Sequence, residues 1–272
     1  MDISIQLSGG QYLRGFINSP GDDMKAIILL VHGLGEQVGR YTNWMKMFSS
    51  RKIGMIALDL PGHGKSDGKR GHIKSYAVTS EMLDILISQY KKTFPGVPLF
   101  IYGHSLGGGI VLEYLLKRKP AVKGAIITSP WLRLAFEPAP GKVKLASMMK
   151  SILPSLTQPS GLVVDHISHD QAVVEAYRKD PLVHDKISVS LFHSAVSAAT
   201  FSLANASSLN VPALLLHGSD DMITSPAGTK AFASASKLAE FVAWEGGFHE
   251  LHNETFNGQV FETICNWINK HI

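Results

Sequence analysis

A chain of 272 residues, 45% hydrophobic and 18% charged, can fill the core of one large domain, or of one domain carrying an insertion, and is too apolar for intrinsic disorder. A formal net charge of +4 with no block of Lys and Arg does not point to nucleic acid, and modestly favours an anionic membrane surface. The single cysteine, Cys265, excludes an internal disulfide and reads as a half-buried helix thiol; the opening Met1-Asp2-Ile3-Ser4 lacks the basic and apolar regions of a signal peptide, and no apolar run reaches the ~18 residues of a membrane span, which together predict a soluble, cytoplasmic protein.

In chain order, residues 3–7 and 12–17 alternate apolar and polar around Gly9-Gly10, the pattern of an antiparallel hairpin. Ala26-Ile27-Ile28-Leu29-Leu30-Val31 is continuously apolar, as in a strand covered on both faces, and ends at His32-Gly33-Leu34-Gly35-Glu36. Residues 40–50 predict a helix, 54–58 a second buried strand and 76–90 a helix. A strand-like run over 97–102 leads into Gly103-His104-Ser105-Leu106-Gly107-Gly108-Gly109, and a helix-like run over 110–117 leads out. Strands are predicted over 122–128, 211–217 and 239–244, with helices over 227–236 and 256–271. This alternation predicts an α/β fold: a mainly parallel eight-stranded sheet with helices on both faces.

Residues 129–208 break the alternation. A Pro-rich start is followed by helical patterns near 143–153, 171–177 and 187–205, with no clear buried strand. The expectation is an inserted helical cap over 129–208, within a core formed by 1–128 and 209–272.

The chemistry concentrates at Gly103-His104-Ser105-Leu106-Gly107, a Gly-x-Ser-x-Gly set between a buried strand and a helix. The pentapeptide alone would be an ordinary Gly-rich turn; in that context it is a nucleophile elbow. Small residues at Gly103 and Gly107 let strand and helix pass closely, and the helix N-terminus turns N–H groups toward a developing anion. A serine nucleophile needs a base, and the base needs a group to orient it, in the chain order Ser, acid, His for this kind of elbow. The strand over 211–217 ends in Gly218-Ser219-Asp220-Asp221, and the strand over 239–244 in Gly246-Gly247-Phe248-His249. Asp221 is the candidate acid, with Asp220 competing; His249 is the candidate base, with His252 competing. Each alone reads as a turn or loop residue. Their order, and their positions at strand carboxyl ends, make them a candidate triad with Ser105. The backbone N–H groups of Leu106 and Leu34 are the candidate oxyanion hole. His104 reads as a packing residue. His249-Glu250-Leu251-His252 is one residue short of the zinc motif His-Glu-x-x-His, and the cap stretch Asp165-His166-Ile167-Ser168-His169-Asp170 reads as a solvated loop, so no metal and no cofactor are expected.

His32-Gly33-Leu34-Gly35-Glu36 with Gly39-Arg40-Tyr41, Asp59-Leu60-Pro61-Gly62-His63-Gly64-Lys65-Ser66, the elbow, His217-Gly218 with Asp221, and His249 with His252-Asn253-Glu254 together resemble the monoacylglycerol lipase / lysophospholipase family of capped α/β hydrolases, of the serine aminopeptidase S33-like type. The resemblance runs from about residue 26 to the C-terminus and includes the cap stretch over 174–183. It implies the α/β-hydrolase fold, Ser105 as nucleophile, His249 as base, Asp221 rather than Asp220 as acid, and an apolar acyl tunnel under the cap. Two departures stand out: Ser168-His169-Asp170-Gln171 replaces the frequent Ser-Arg-Asp-Pro, and Leu106 the frequent Met.

The implied activity is hydrolysis of a lipid ester, a monoacylglycerol or lysophospholipid, through an acyl-enzyme. In the cap, Leu145, Met148, Met149 and Ile152 are the tunnel candidates, with Leu153 on the same apolar stripe and Lys142, Lys144 and Lys150 nearby. That helix either packs on the core or lies peripherally on a membrane. The partner expected is a lipid ester substrate and no nucleic acid; the sequence carries no sign of oligomeric state. The rival enzyme is a short-chain carboxylesterase. Hydrolases with Asp at the elbow are disfavoured by Ser105. A catalytically silent binding module on this fold would be marked by a lost triad member, and none is lost.

Overall fold

In the computed structural model of the chain, residues 1–21, 23–136, 149 and 151–272 are described. The strands are β1 (Asp2–Gln6), β2 (Tyr12–Asn18), β3 (Ala26–Val31), β4 (Ile53–Leu58), β5 (Leu99–His104), β6 (Gly124–Thr128), β7 (Thr157–Pro159), β8 (Lys186–Ser188), β9 (Ala213–Gly218) and β10 (Ala239–Trp244). The helices are α1 (Thr42–Ser50), α2 (Tyr76–Thr93), α3 (Leu106–Arg118), α4 (Gln171–Lys179), α5 (Val189–Ala204), α6 (Pro226–Ser234) and α7 (Asn257–His271). Eight strands form one sheet in the order β1-β2-β4-β3-β5-β6-β9-β10. In this sheet the hairpin β1–β2 and the pair β2–β4 are antiparallel, and the remaining pairings are parallel.

The continuous apolar strands follow from having helices on both faces. Successive side chains of β3 alternate between two cores: Ile27, Leu29 and Val31 join one with residues of α2, α3 and α5, whereas Ala26, Ile28 and Leu30 join the other with residues of α1 and α7. Edge strands need only one buried face. In the hairpin, Ile5 and Leu13 point into the core while Tyr12 is exposed. The parallel register brings the carboxyl ends of β3, β5, β6, β9 and β10 to one edge, where functional groups of open α/β sheets gather.

The described residues of 129–208 differ from expectation in two respects. A short antiparallel ladder is present, β7 on β8, with Ile187 opposite Gln158. The helix foreseen from 187 begins at Val189, because Ser188 is its N-cap and accepts from Leu191 N–H at 3.2 Å. α5 lies against α2 and α3, with Leu191, Ala195 and Ala198 in their core. Leu145 and Met148, like Lys142, Lys144 and Lys150, lie outside the described residues. The N–H groups of Ile152 and Leu153 both return to Met149 O, so the chain turns there and Ile152 is 75% exposed. Cys265 is fully buried rather than half-buried, because α7 packs that side against the sheet.

Candidate active site

One residue separates β5 from α3, so the chain turns sharply at Ser105. It takes φ 54° and ψ −118°, a strained conformation for an L-residue costing about 1–3 kcal/mol. The surroundings hold it there. Ser105 N–H donates to Thr128 O at 3.0 Å, and Ser105 O accepts from Gly109 and Trp131 N–H at 3.1 and 2.9 Å. The flanking glycines answer to close approach: a Cβ on Gly107 would stand 2.1 Å from Val31 O, and one on Gly103 2.7 Å from Gly107 O. α3 therefore sits directly on the ends of β3 and β5.

From the next strand ends come Asp221 and His249. The carboxylate of Asp221 only accepts, so His249 Nδ1–H donates to Asp221 Oδ2 at 2.7 Å, which leaves Nε2 to accept from Ser105 Oγ–H at 2.9 Å. All three residues are buried. Asp221 Oδ1 accepts from Ile223 and Thr224 N–H at 2.8 and 3.0 Å, which fixes the carboxyl plane. Burial opposes its charge, but attraction to His249 and hydrogen bonds from His217 and His249 outweigh burial and hold the carboxyl far below the usual range. At His249 burial again opposes charge, and the attraction and hydrogen bond of Asp221 overcome it, raising the imidazole above its ordinary value. Ser129, at φ 46°, donates Oγ–H to His249 O at 2.7 Å and so anchors the histidine backbone.

The competitors fall elsewhere. Asp220 is exposed and accepts from Ser219 Oγ. His252 is buried with its ring stacked 4.6 Å from Tyr41, and burial pushes it down to about 3. His104 packs as expected, 4.9 Å ring to ring from His249, with Nδ1 3.1 Å from Thr128 Oγ1.

Ser105 and His249 open into a cavity of about 770 Å³. Gly33 and Leu34 form its edge beside the serine, where a Cβ on Gly33 would lie 3.1 Å from Ser105 Cβ. Leu106 opens α3 next to Ser105, and among the described residues no hydrogen bond engages the N–H of Leu34 or of Leu106. Met149, Leu156, Tyr177 and Phe192 from the 129–208 segment line the far side; Ile152 does not.

The family described as Serine aminopeptidase, S33 (Hydrolase_4) matches residues 22–256. The chain belongs to this family. It is 30% identical over 251 residues to Bacillus subtilis phospholipase YtpA, covering 91% of this chain and 96% of that one. It is 34% identical over 255 residues to an uncharacterized abhydrolase domain-containing protein of Dictyostelium discoideum, covering 91% of this chain and 26% of that one, so it spans about a quarter of that relative's length. The crystal structure of Paleococcus ferrophilus monoacylglycerol lipase superposes with a TM-score of 0.87 at 32% identity, covering 96% of this chain and 99% of the other. The fold is therefore the α/β-hydrolase fold of the monoacylglycerol lipase / lysophospholipase family.

This family member carries a buried ion cluster beside Ser105, His249 and Asp221. Both Arg40 Nη atoms donate to the Glu250 carboxylate at 2.7 Å, and Nη1 also reaches Glu36 Oε2 at 2.9 Å. Glu36 in turn accepts from Gly33 N–H at 2.5 Å and Tyr41 OH at 2.9 Å. One arginine thus joins the Leu34 loop to the His249 loop. Burial raises Glu36 above the ordinary carboxylate range against the pull of Arg40, whereas Glu250, gripped by both guanidinium nitrogens, falls to about 2 despite burial. The 129–208 segment of the hydrolase ties to the same two loops. His184 N–H donates to Gly35 O at 2.9 Å, and Glu250 N–H to Ile167 O at 2.8 Å. His169 Nδ1 lies 2.9 Å from the buried Glu254 Oε1. Asp165 pairs with Arg178 at 2.7 Å and Asp170 caps α4, so the stretch 165–170 is engaged in side-chain ties; no group of three or more potential metal-ligating residues occurs among the described residues.

Sequence reasoning missed Ser129 and Thr224, and quoted His217 within the family pattern without giving it a role. Only His217 left a signal, an imidazole near the carboxyl end of an otherwise apolar strand.

Proposed function

We propose that this family member is a serine hydrolase of lipid esters, with monoacylglycerol the preferred substrate class. The observation that carries the reading is the hydrogen-bonded chain from Ser105 through His249 to Asp221, opening into a largely apolar cavity. His249 takes the Ser105 proton as Oγ attacks the ester carbonyl, and Asp221 stabilises the imidazolium that forms. The Leu34 and Leu106 N–H groups hold the oxyanion. The proton then passes from His249 to the leaving alcohol, and water repeats the cycle on the acyl-enzyme. Names of relatives that include a phospholipase and a monoacylglycerol lipase support a lipid over a small soluble ester. A cavity of about 770 Å³ lies in the range of pockets that enclose small-molecule ligands, and each buried methylene contributes about 0.8 kcal/mol, so chain length is rewarded.

Residues 129–208 act as the cap over this cavity, on a core of 1–128 and 209–272. Ile152, Leu153, Leu156 and Val163 are exposed apolar side chains of this segment, and they support a peripheral membrane contact by a cytoplasmic enzyme. Among the described residues no helix is long and apolar enough to cross a membrane. The test is kcat/KM across a monoacylglycerol series. It should rise from acetyl to at least octanoyl; a preference for acetyl makes the enzyme a short-chain carboxylesterase.

A further inference from the structure

His217 is the penultimate residue of β9 and is completely enclosed. Its Nε2 lies 3.0 Å from Asp221 Oδ2 and 3.2 Å from Thr224 O. Both are acceptors without protons, and Thr224 Oγ1, the third neighbour at 3.4 Å, has its own proton directed to Ser129 O or Asp221 Oδ2, each at 3.0 Å, so Nε2 carries the hydrogen. Its Nδ1 lies 2.8 Å from Thr229 Oγ1, which donates to it and fixes that tautomer. Asp221 Oδ2 therefore receives two imidazole N–H groups, one from His249 and one from His217. The Thr224 hydroxyl has a single proton to share between Asp221 Oδ2 and Ser129 O, each at 3.0 Å, so it does not replace His217.

We propose that His217 is a positioning residue for the acid, occupying a fixed share of Asp221 Oδ2 and thereby setting how strongly that oxygen draws on His249. The inference rests on the triad reading. With His217 present, the charge of Asp221 is divided between two donors. Without it, the whole charge bears on His249 and favours the imidazolium. The other groups facing His249 are His104 on the elbow strand, Glu250 and His252 on its own loop, and Glu36 paired with Arg40 on the Leu34 loop. None of these touches His217; the group in reach of both imidazoles is the uncharged Thr224 hydroxyl, 3.4 Å from His217 Nε2 and 3.3 Å from His249 Nδ1, so among charged groups a shift reports the Asp221 contact.

The experiment compares His217→Leu with His217→Gln, which keeps an N–H donor of similar reach. In His217→Leu the acidic limb of kcat/KM should move up by roughly half a pH unit or more, and the His249 Nδ1 proton resonance should shift. His217→Gln should restore both toward wild type. An unchanged limb and resonance in a folded His217→Leu overturns the proposal, as does a His217→Gln that behaves like His217→Leu. Should His217→Leu not fold, Thr229→Val removes the hydroxyl that fixes the tautomer; it should move the limb in the same direction by less, and no movement overturns the proposal. Failure of the triad reading shows separately, as turnover by Ser105→Ala.

Discussion

The floor and the far wall of the cavity are held by different sets of contacts. The floor is tied by backbone: Ser105 is pinned through its own N–H and carbonyl, and α3 sits so close to β3 that a single methyl on Gly107 would overlap Val31 O. The far wall, from 129–208, has backbone ties at His184 to Gly35, Ser188 to Gly71 and Glu250 to Ile167, and adds to them side-chain ties that the serine turn lacks: His169 to Glu254, Ser168 Oγ to Asn253 O, Gln37 to Asp180 and the Tyr177 ring 4.6 Å from Arg40. Gly161 in that segment has open space where a Cβ would stand. A strained serine persists only where the surroundings over-determine it, and backbone ties do that independently of side-chain identity. Side-chain ties leave the wall open to changes that alter the substrate and spare the chemistry.

The largest effects should come from the floor. Ser105→Ala or His249→Ala should each lower kcat by about a thousandfold or more, because members of a triad act as a unit. Single-turnover assays check this, and near-wild-type turnover by either variant removes the catalytic reading.

Arg40 joins the two regions, and its loss should be felt in stability. Arg40→Met leaves two carboxylates buried without their cation, which costs about 3–5 kcal/mol. Denaturant unfolding measures it. A loss below ~1 kcal/mol would mean that the loops carry each other without the ion cluster.

The pH profile reads the floor alone. His249 must be neutral to accept the serine proton, and Asp221 raises its pKa above the ordinary ~6.5. Activity should therefore fall as pH drops through a midpoint above that value, with most of it lost by about pH 5. A limb centred well below 6.5 would show that burial outweighs the carboxylate.

The smallest effects should come from exposed groups. Asp220→Asn should leave kcat within about twofold, since its carboxylate meets Ser219 and not His249. A thousandfold loss in Asp220→Asn would move the acid to that residue.

The features legible in the sequence were local ones. Continuous apolar runs announced strands covered on both faces, and a serine between glycines at a strand-to-helix junction announced the turn. The candidate acid and base were legible because the parallel register puts functional groups at strand carboxyl ends, and those ends can be counted along the chain. The choice of Asp221 over Asp220 was a different matter. The residues alone left both open and the family resemblance favoured Asp221; neighbouring residues in a turn point in different directions, and the fold shows that it is the Asp221 carboxylate that the N–H groups of Ile223 and Thr224 clamp. The short β7–β8 ladder was hidden because three-residue strands carry no readable period. The bridge from Glu36 through Arg40 to Glu250 and the approach of His217 to Asp221 Oδ2 were also decided by tertiary structure. A hydrogen bond depends on the meeting of two atoms in space; the sequence supplied the residue types, and the packing of sheet edge, loops and inserted segment decided which of them met.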